Sequence, residues 1–74
     1  MTNFQNTSPS GQTITGSTDM DLSNAVVIWA WSNSCNDWLR QSDAVNYDIA
    51  ARQVRALQAQ CPEIRPAFTR CVAV

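Results

Sequence analysis

The most apolar stretch of the chain is AVVIWAW, which runs from Ala25 to Trp31. It lies within a segment from Ser17 to Cys61 that contains neither glycine nor proline, so no residue there forces the backbone out of a helix. At about 100° per residue, several apolar side chains of this region share one stripe of a helix: Val27, Ile28, Trp31, Cys35, Trp38 and Leu39. The pattern predicts an amphipathic helix over residues 20–40.

A second apolar stripe with helical spacing follows the polar segment RQSDAVN. Ser42 is a good N-cap and Asp43 a good first-turn residue, while Pro62 ends the pattern. We therefore expect a second helix over residues 43–60. Together the two segments predict an all-α fold, a small helical hairpin. One continuous helix of about 60 Å, at roughly 1.5 Å per residue, is the alternative.

Residues 1–18 are polar and carry no charged side chain, and Met1, Phe4 and Ile14 are their only sizeable apolar groups. Such a composition cannot form a core of its own, which predicts an extended N-terminal arm that is flexible or bound to a partner. The arm contains GQTITGS, whose central residues have strand propensity, so it can also add a short strand to a neighbour's sheet. We therefore divide the chain into this arm and a helical interaction unit, residues 19–74.

Each predicted helix carries a second apolar face that a two-helix hairpin cannot bury. The short C-terminal segment, which contains Pro62 and Pro66, can fold back as a loop and cover only one of these faces. The uncovered remainder predicts a protein interface. Together with two apolar side chains of the arm, the predicted interface residues are Phe4, Ile14, Leu22, Ala25, Val26, Trp29, Val45 and Ile49.

The two tryptophans of the apolar stretch receive different roles in this prediction. Trp29 and Trp31 are two residues apart, and therefore about 200° apart around a helix. Trp31 lies on the stripe that faces the second helix, which predicts a core position. Trp29 lies on the opposite face, which predicts a position at the interface with a partner.

The available residue types argue against catalysis and metal binding. The chain has no His and no Lys, and its three cysteines, Cys35, Cys61 and Cys71, show no CxxC spacing. A cysteine nucleophile then lacks a neighbouring base, and zinc lacks a complete ligand set. We expect no enzyme activity, no catalytic residue, no metal, no cofactor and no small-molecule substrate. Cys35 and Cys61 are predicted to be buried, and a Cys61–Cys71 disulfide is an open alternative.

Charge and hydropathy restrict the partners. The formal net charge is −1, with five arginines against six acidic residues, whereas nucleic-acid binding needs a clustered basic excess. The apolar run of Ala25 to Trp31 is shorter than the roughly 20 residues of a membrane-spanning helix. The first 18 residues lack the basic and apolar regions of a secretory signal. We expect no nucleic-acid partner, no membrane span, and a location in the cytoplasm or within a virion or other large complex.

These features predict a small non-enzymatic structural or interaction protein. It acts as a subunit or accessory component of an oligomer or a larger assembly, for example as a minor virion protein. Its partners are expected to be copies of itself, other proteins of the assembly, or both. The alternative is a free-standing inhibitor or adaptor that sequesters one target protein. A carrier of a hydrophobic ligand is disfavoured because the tryptophans have no polar anchor beside them.

Overall fold

A computed structural model describes the whole chain, residues 1–74, and it is built mainly of β-strands. The elements are β1 (Thr2–Thr7), β2 (Thr13–Thr18), a 3-10 turn (Leu22–Asn24), β3 (Ala25–Ser32), β4 (Asp37–Arg40), β5 (Val45–Asn46), α1 (Tyr47–Gln60), β6 (Pro66–Arg70) and β7 (Val72–Ala73). The prediction of an all-α helical hairpin, and of the single long helix as its alternative, is therefore wrong.

Strand β3 is the centre of a sheet that we call the central sheet, formed by β3, β4, β5 and β6, all antiparallel to β3. Val26 pairs with strands on both of its sides, β5 and β6, and Trp29 pairs with β4 and β6. Strand β6 therefore takes one edge of β3, while β4 and β5 follow each other along the opposite edge. Helix α1 connects β5 to β6 and crosses over β3.

The first predicted helix, residues 20–40, is replaced by β3, a turn and β4 because β3 is buried on both faces. Ala25, Val27 and Trp29 lie in one core cluster and Val26 and Ile28 in another. A strand buried on both faces has a continuous apolar sequence instead of an alternating one, and β-branched and aromatic residues favour it. The polar turn after β3 contains Asn36 at φ 53°, a left-handed conformation that asparagine tolerates.

The second predicted helix, residues 43–60, is present but begins later, at Tyr47. Asn46 is its N-cap, and the Asn46 side chain accepts a hydrogen bond from the Asp48 main-chain N–H at 2.9 Å. Residues 45–46 instead form β5 beside β3. The helix ends at Gln60, just before Pro62. It packs on the central sheet through Ala50 and, with partial burial, Val54.

Residues 1–18, for which the sequence predicted an arm, form the β1–β2 hairpin. This hairpin and β7 make a second sheet, which we call the hairpin sheet, in the order β2-β1-β7. Phe4 lies in the core with Trp29. Its ring also lies across Gly16 on β2, where an added Cβ would come within 2.9 Å of the ring. Gly16 therefore makes room for the side chain that attaches the hairpin to the core.

The C-terminal segment, expected to be a loop over the helices, instead joins the two sheets. Strand β6 belongs to the central sheet and β7 to the hairpin sheet. Between them, the buried residue Cys71 donates its main-chain N–H to the Ala25 carbonyl oxygen at 3.0 Å. The chain therefore has three layers, with the central sheet between helix α1 and the hairpin sheet.

A buried group of polar side chains links the two sheets. The indole N–H of Trp29 donates to Asn6 Oδ1 at 3.1 Å and to Thr69 Oγ1 at 2.9 Å. Asn6 Nδ2 in turn donates to the Thr69 carbonyl oxygen at 2.8 Å. No buried side-chain nitrogen or oxygen lacks a partner, so this network stabilises the contact between the sheets.

Candidate interaction surface

The structure places the eight predicted interface residues in two environments. Four of them are core residues whose side chains are almost fully buried inside the chain: Phe4, Ala25, Val26 and Trp29. The others keep some exposure; Ile14, Leu22 and Val45 are half-buried, and Ile49 is exposed. The predicted face of the first helix is absent, because residues 25–32 form β3. Of the predicted face of the second helix, Ile49 lies on α1 and Val45 lies on β5.

The environments of the two tryptophans also differ from those predicted. Trp29 is 1% exposed, whereas Trp31 is half-buried near the end of β3. The Trp31 ring packs edge-to-face against Trp38, with 5.7 Å between the ring centroids. The Arg65 guanidinium lies 5.4 Å from the centre of the Trp31 ring. Trp31 therefore lies at the margin of the core, and Trp29 lies within it.

The accessible surface area of the chain is close to that expected from its mass. The accessible surface is 4755 Å², and a folded monomer of this mass is expected to expose about 4500 Å². The chain is therefore about as compact as an ordinary folded monomer of its mass. An interaction would use a local feature of the surface, such as a strand edge, a cavity or a group of exposed side chains.

The two sheets leave unpaired strand edges, and most of these carry features that discourage pairing. Strand β6 contains Pro66 and Arg70, β4 contains Asp37 and Arg40, and β5 and β7 have only two residues each. Prolines, charges and short length are the usual protection of a sheet edge. Strand β2 differs, because its six residues, TITGST, include no charge and no proline. It is the longest edge without such protection.

The main-chain groups along the free edge of β2 follow from the hairpin register. The Ser8 N–H donates to the Gln12 carbonyl oxygen at 2.7 Å and closes the hairpin. Hydrogen-bonded positions alternate along an antiparallel pair, so Ile14, Gly16 and Thr18 bond to β1. The N–H and C=O groups of the residues between them point away from β1, toward the free edge. These residues are Thr13, Thr15 and Ser17.

The start of β2 is held in place by the central sheet. Asp37, the first residue of β4, accepts hydrogen bonds from the side chains of Ser10, at 2.8 Å, and Gln12. These bonds, with one from the Trp38 main chain, lower the pKa of the Asp37 carboxyl, with the Ser10 hydroxyl contributing most. The free edge of β2 is thus presented on an ordered hairpin whose turn is attached to β4.

The other surface features give weaker evidence for a binding site. A shallow cavity of about 270 Å³ lies between α1 and the residue after β4, lined by Gln41, Gln53, Ala56, Leu57 and Gln60. It has no charged group to orient a ligand. No group of three or more His, Cys, Asp or Glu side chains is placed to hold a metal ion. No helix is both long and apolar enough to cross a membrane.

The cysteines occupy positions opposite to those expected. Cys35 and Cys61 are exposed, whereas Cys71 is buried, and all three are free thiols. Cys35 lies in the turn after β3 and Cys61 just beyond α1, where no core covers them. Burial raises the pKa of the Cys71 thiol, and a hydrogen bond from the Asn6 amide opposes this effect in part.

We expect this difference to appear in thiol reactivity. In the folded protein, Cys35 and Cys61 should react quickly with an aromatic disulfide reagent, and Cys71 should react only on unfolding, because it is buried and remains protonated. Spectroscopic thiol counts with and without denaturant measure this. Rapid reaction of all three thiols in the folded protein would contradict the burial of Cys71.

The same shift predicts a pH dependence of stability. Because the folded-state pKa of Cys71 is raised, the buried protonated thiol contributes to the free energy of unfolding. This contribution is fully present below the ordinary thiol pKa and is lost as the pH rises through the folded-state value. The fall in unfolding free energy toward alkaline pH should be shallower in Cys71→Ala than in the wild type. Urea titrations from neutral to alkaline pH measure the two slopes.

The free edge of β2 can be predicted only in part from the sequence. The strand propensity of GQTITGS is visible in the sequence, and it predicts that this segment adds a strand to a neighbour's sheet. It does not predict that the segment pairs with β1 of the same chain. The signal for the hairpin is the turn sequence SPSGQ between the two segments, in which Pro9 and Gly11 favour a turn.

Comparison with protein-family models, curated proteins and solved structures gave no match.

Proposed function

We propose that this protein is a non-enzymatic interaction protein, a subunit of a larger protein assembly, and that it binds by accepting a strand at the free edge of β2. The observation that carries this proposal is the unprotected edge itself. Thr13, Thr15 and Ser17 present three N–H and three C=O groups on a strand without charge or proline. Strand addition satisfies these groups by main-chain hydrogen bonds and needs no deep pocket.

The outer face of the hairpin sheet is consistent with such binding. On this face the side chains of β1 and β2 are polar and uncharged. The two strands are linked by side-chain hydrogen bonds, for example from Ser17 Oγ to Asn3 Oδ1 at 3.1 Å and between the hydroxyls of Thr7 and Thr13 at 3.3 Å. These contacts hold β1 and β2 in one register. An incoming strand therefore meets a preformed template, which reduces the entropy lost on binding.

The proposal is tested with peptides selected from a random library of short peptides on the immobilised 74-residue chain. Their binding should slow hydrogen exchange of the Thr13, Thr15 and Ser17 amides, because these amides become hydrogen-bonded. Thr15→Pro should weaken binding at least about tenfold, since proline removes the central edge donor without breaking a bond to β1. Thr15→Ala is the matched control, because it removes the same side chain but keeps the N–H.

Two results would contradict the proposal. The first is selected peptides that protect amides elsewhere, for example on β4 or α1, and leave those of β2 unchanged. The second is equal binding to Thr15→Pro and Thr15→Ala when circular dichroism shows that both variants are folded. In either case the edge of β2 is not the binding site.

A further inference from the structure

We propose that the strand accepted at the free edge of β2 is β2 of a second copy of this chain, paired antiparallel about a twofold axis through Thr15. This inference rests on the proposed function and identifies its partner. Paired in this way, Thr15 faces Thr15 of the second copy, and Thr13 faces Ser17. The two hairpin sheets would join into one continuous sheet across the axis.

The first argument is that this register uses every free main-chain group. Thr13, Thr15 and Ser17 are the residues whose N–H and C=O groups point to the free edge. When Thr15 lies on the axis, these three residues of one copy meet the same three of the other as hydrogen-bonded pairs. A register shifted by two residues leaves the edge groups of one of these residues beyond the end of the opposing strand.

The second argument concerns charge. Charges on a strand edge are a usual protection against pairing, because a second strand must desolvate them or bring them close to other charges. The strands β4 and β6 carry such charges, at Asp37, Arg40 and Arg70, and β2 carries none. Of the edges longer than two residues, only β2 can therefore pair with its own copy without bringing a charged strand residue into the interface.

The third argument concerns the side chains on the inner face of β2. In this register Ile14 of one copy lies directly opposite Gly16 of the other. Gly16 has no side chain, and the Phe4 ring lies across it. Ile14, which is half-buried and packs against the same core cluster as Phe4, would therefore come beside the Phe4 ring of the second copy. A large residue opposite a glycine, repeated by the axis, makes the strand self-complementary.

The pairing belongs to the class of weak, transient interfaces, because two six-residue strands bury less surface than a standard stable interface of about 1,200 to 2,000 Å². Sedimentation of the 74-residue chain over a wide concentration range should therefore show a reversible monomer–dimer equilibrium. Hydrogen exchange of the Thr13, Thr15 and Ser17 amides should slow as the concentration rises.

Charge pairs at the axis test the register. Thr15→Lys and Thr15→Glu should each dimerise at least about tenfold more weakly than the wild type, because like charges then meet across the axis. An equal mixture of the two variants should regain dimerisation, because the introduced ammonium of one chain then faces the introduced carboxylate of the other. The matched controls are Gln5→Lys and Gln5→Glu, on the same face but one strand away from the edge, where the effects should be much smaller.

The outcomes separate this inference from the proposed function. A chain that stays monomeric at the highest soluble concentration, or one whose dimer is unaffected by both Thr15 charges, overturns the pairing of β2 with its own copy. So does a mixture that does not recover. In those cases the peptide experiment still decides whether the edge accepts a strand from another protein. If peptides also fail to protect the β2 amides, both proposals are wrong.

Discussion

Trp29→Ala should lower the free energy of unfolding by about 3 to 5 kcal/mol, which is the usual cost of removing a large buried aromatic side chain. Trp29 is 1% exposed and lies in the core cluster between the two sheets. The substitution also removes the indole N–H that donates to Asn6 and Thr69. The total free energy of unfolding of a small domain is about 5 to 15 kcal/mol. The variant should therefore be largely unfolded well below the melting temperature of the wild type.

Trp31→Ala is the matched control for this prediction. Trp31 is half-buried; its ring packs edge-to-face against Trp38 and near the Arg65 guanidinium, and its indole N–H donates to Asn33 Oδ1 at 2.9 Å in an exposed hydrogen bond. Such contacts contribute about 1 to 2 kcal/mol together, so this variant should stay folded. Chemical denaturation followed by circular dichroism measures both. If Trp31→Ala unfolds the chain and Trp29→Ala does not, the assignment of Trp29 to the core is wrong.

These two residues show why the sequence predicted the wrong class of fold. On a helix, residues two apart point to nearly opposite sides, whereas on a strand they share a face. The run AVVIWAW is compatible with either, because a strand buried on both faces has no alternation to distinguish it from a buried helix. The absence of glycine and proline only permits a helix. The short length of the run and its content of valine, isoleucine and tryptophan were the evidence for a strand.

Helix α1 was predicted more successfully because its pattern is local to its own sequence. Ala50, Val54 and Leu57 recur at helical spacing, Ala50 and Val54 pack on the central sheet, and Pro62 ends the pattern. The N-terminal boundary was misplaced because Ser42 and Asn46 are both good caps. Only the pairing of β5 with β3 decides between them, and that contact joins residues far apart in sequence.

The candidate site could not be predicted from the sequence for a different reason. Which strand edges are free depends on the pairing of all strands, and no local pattern in TITGST shows that one side of β2 pairs with β1 while the other stays open. The sequence does show the features that give this edge its importance once the topology is known. It has no charge and no proline, and a glycine lies opposite the position of Phe4.

Phe4→Ala should destabilise the protein by about 3 to 5 kcal/mol, because Phe4 attaches the β1–β2 hairpin to the rest of the fold. Its side chain is 4% exposed and lies in the same cluster as Trp29 and Cys71. The ring also covers Gly16, so its removal leaves a gap between β1 and β2. The loss should appear as a lower denaturation midpoint and as faster hydrogen exchange of the β2 amides bonded to β1.

Gln5→Ala is the matched control, since Gln5 is the next residue on β1 and its side chain is exposed. Surface substitutions of this kind usually change stability by less than about 0.5 kcal/mol. A flexible N-terminal arm would make the two variants equivalent, because neither side chain would then contact the core. Equal stability of Phe4→Ala, Gln5→Ala and the wild type would therefore contradict an ordered hairpin that is attached to the core. It would also contradict the preformed edge on which strand addition and self-pairing depend.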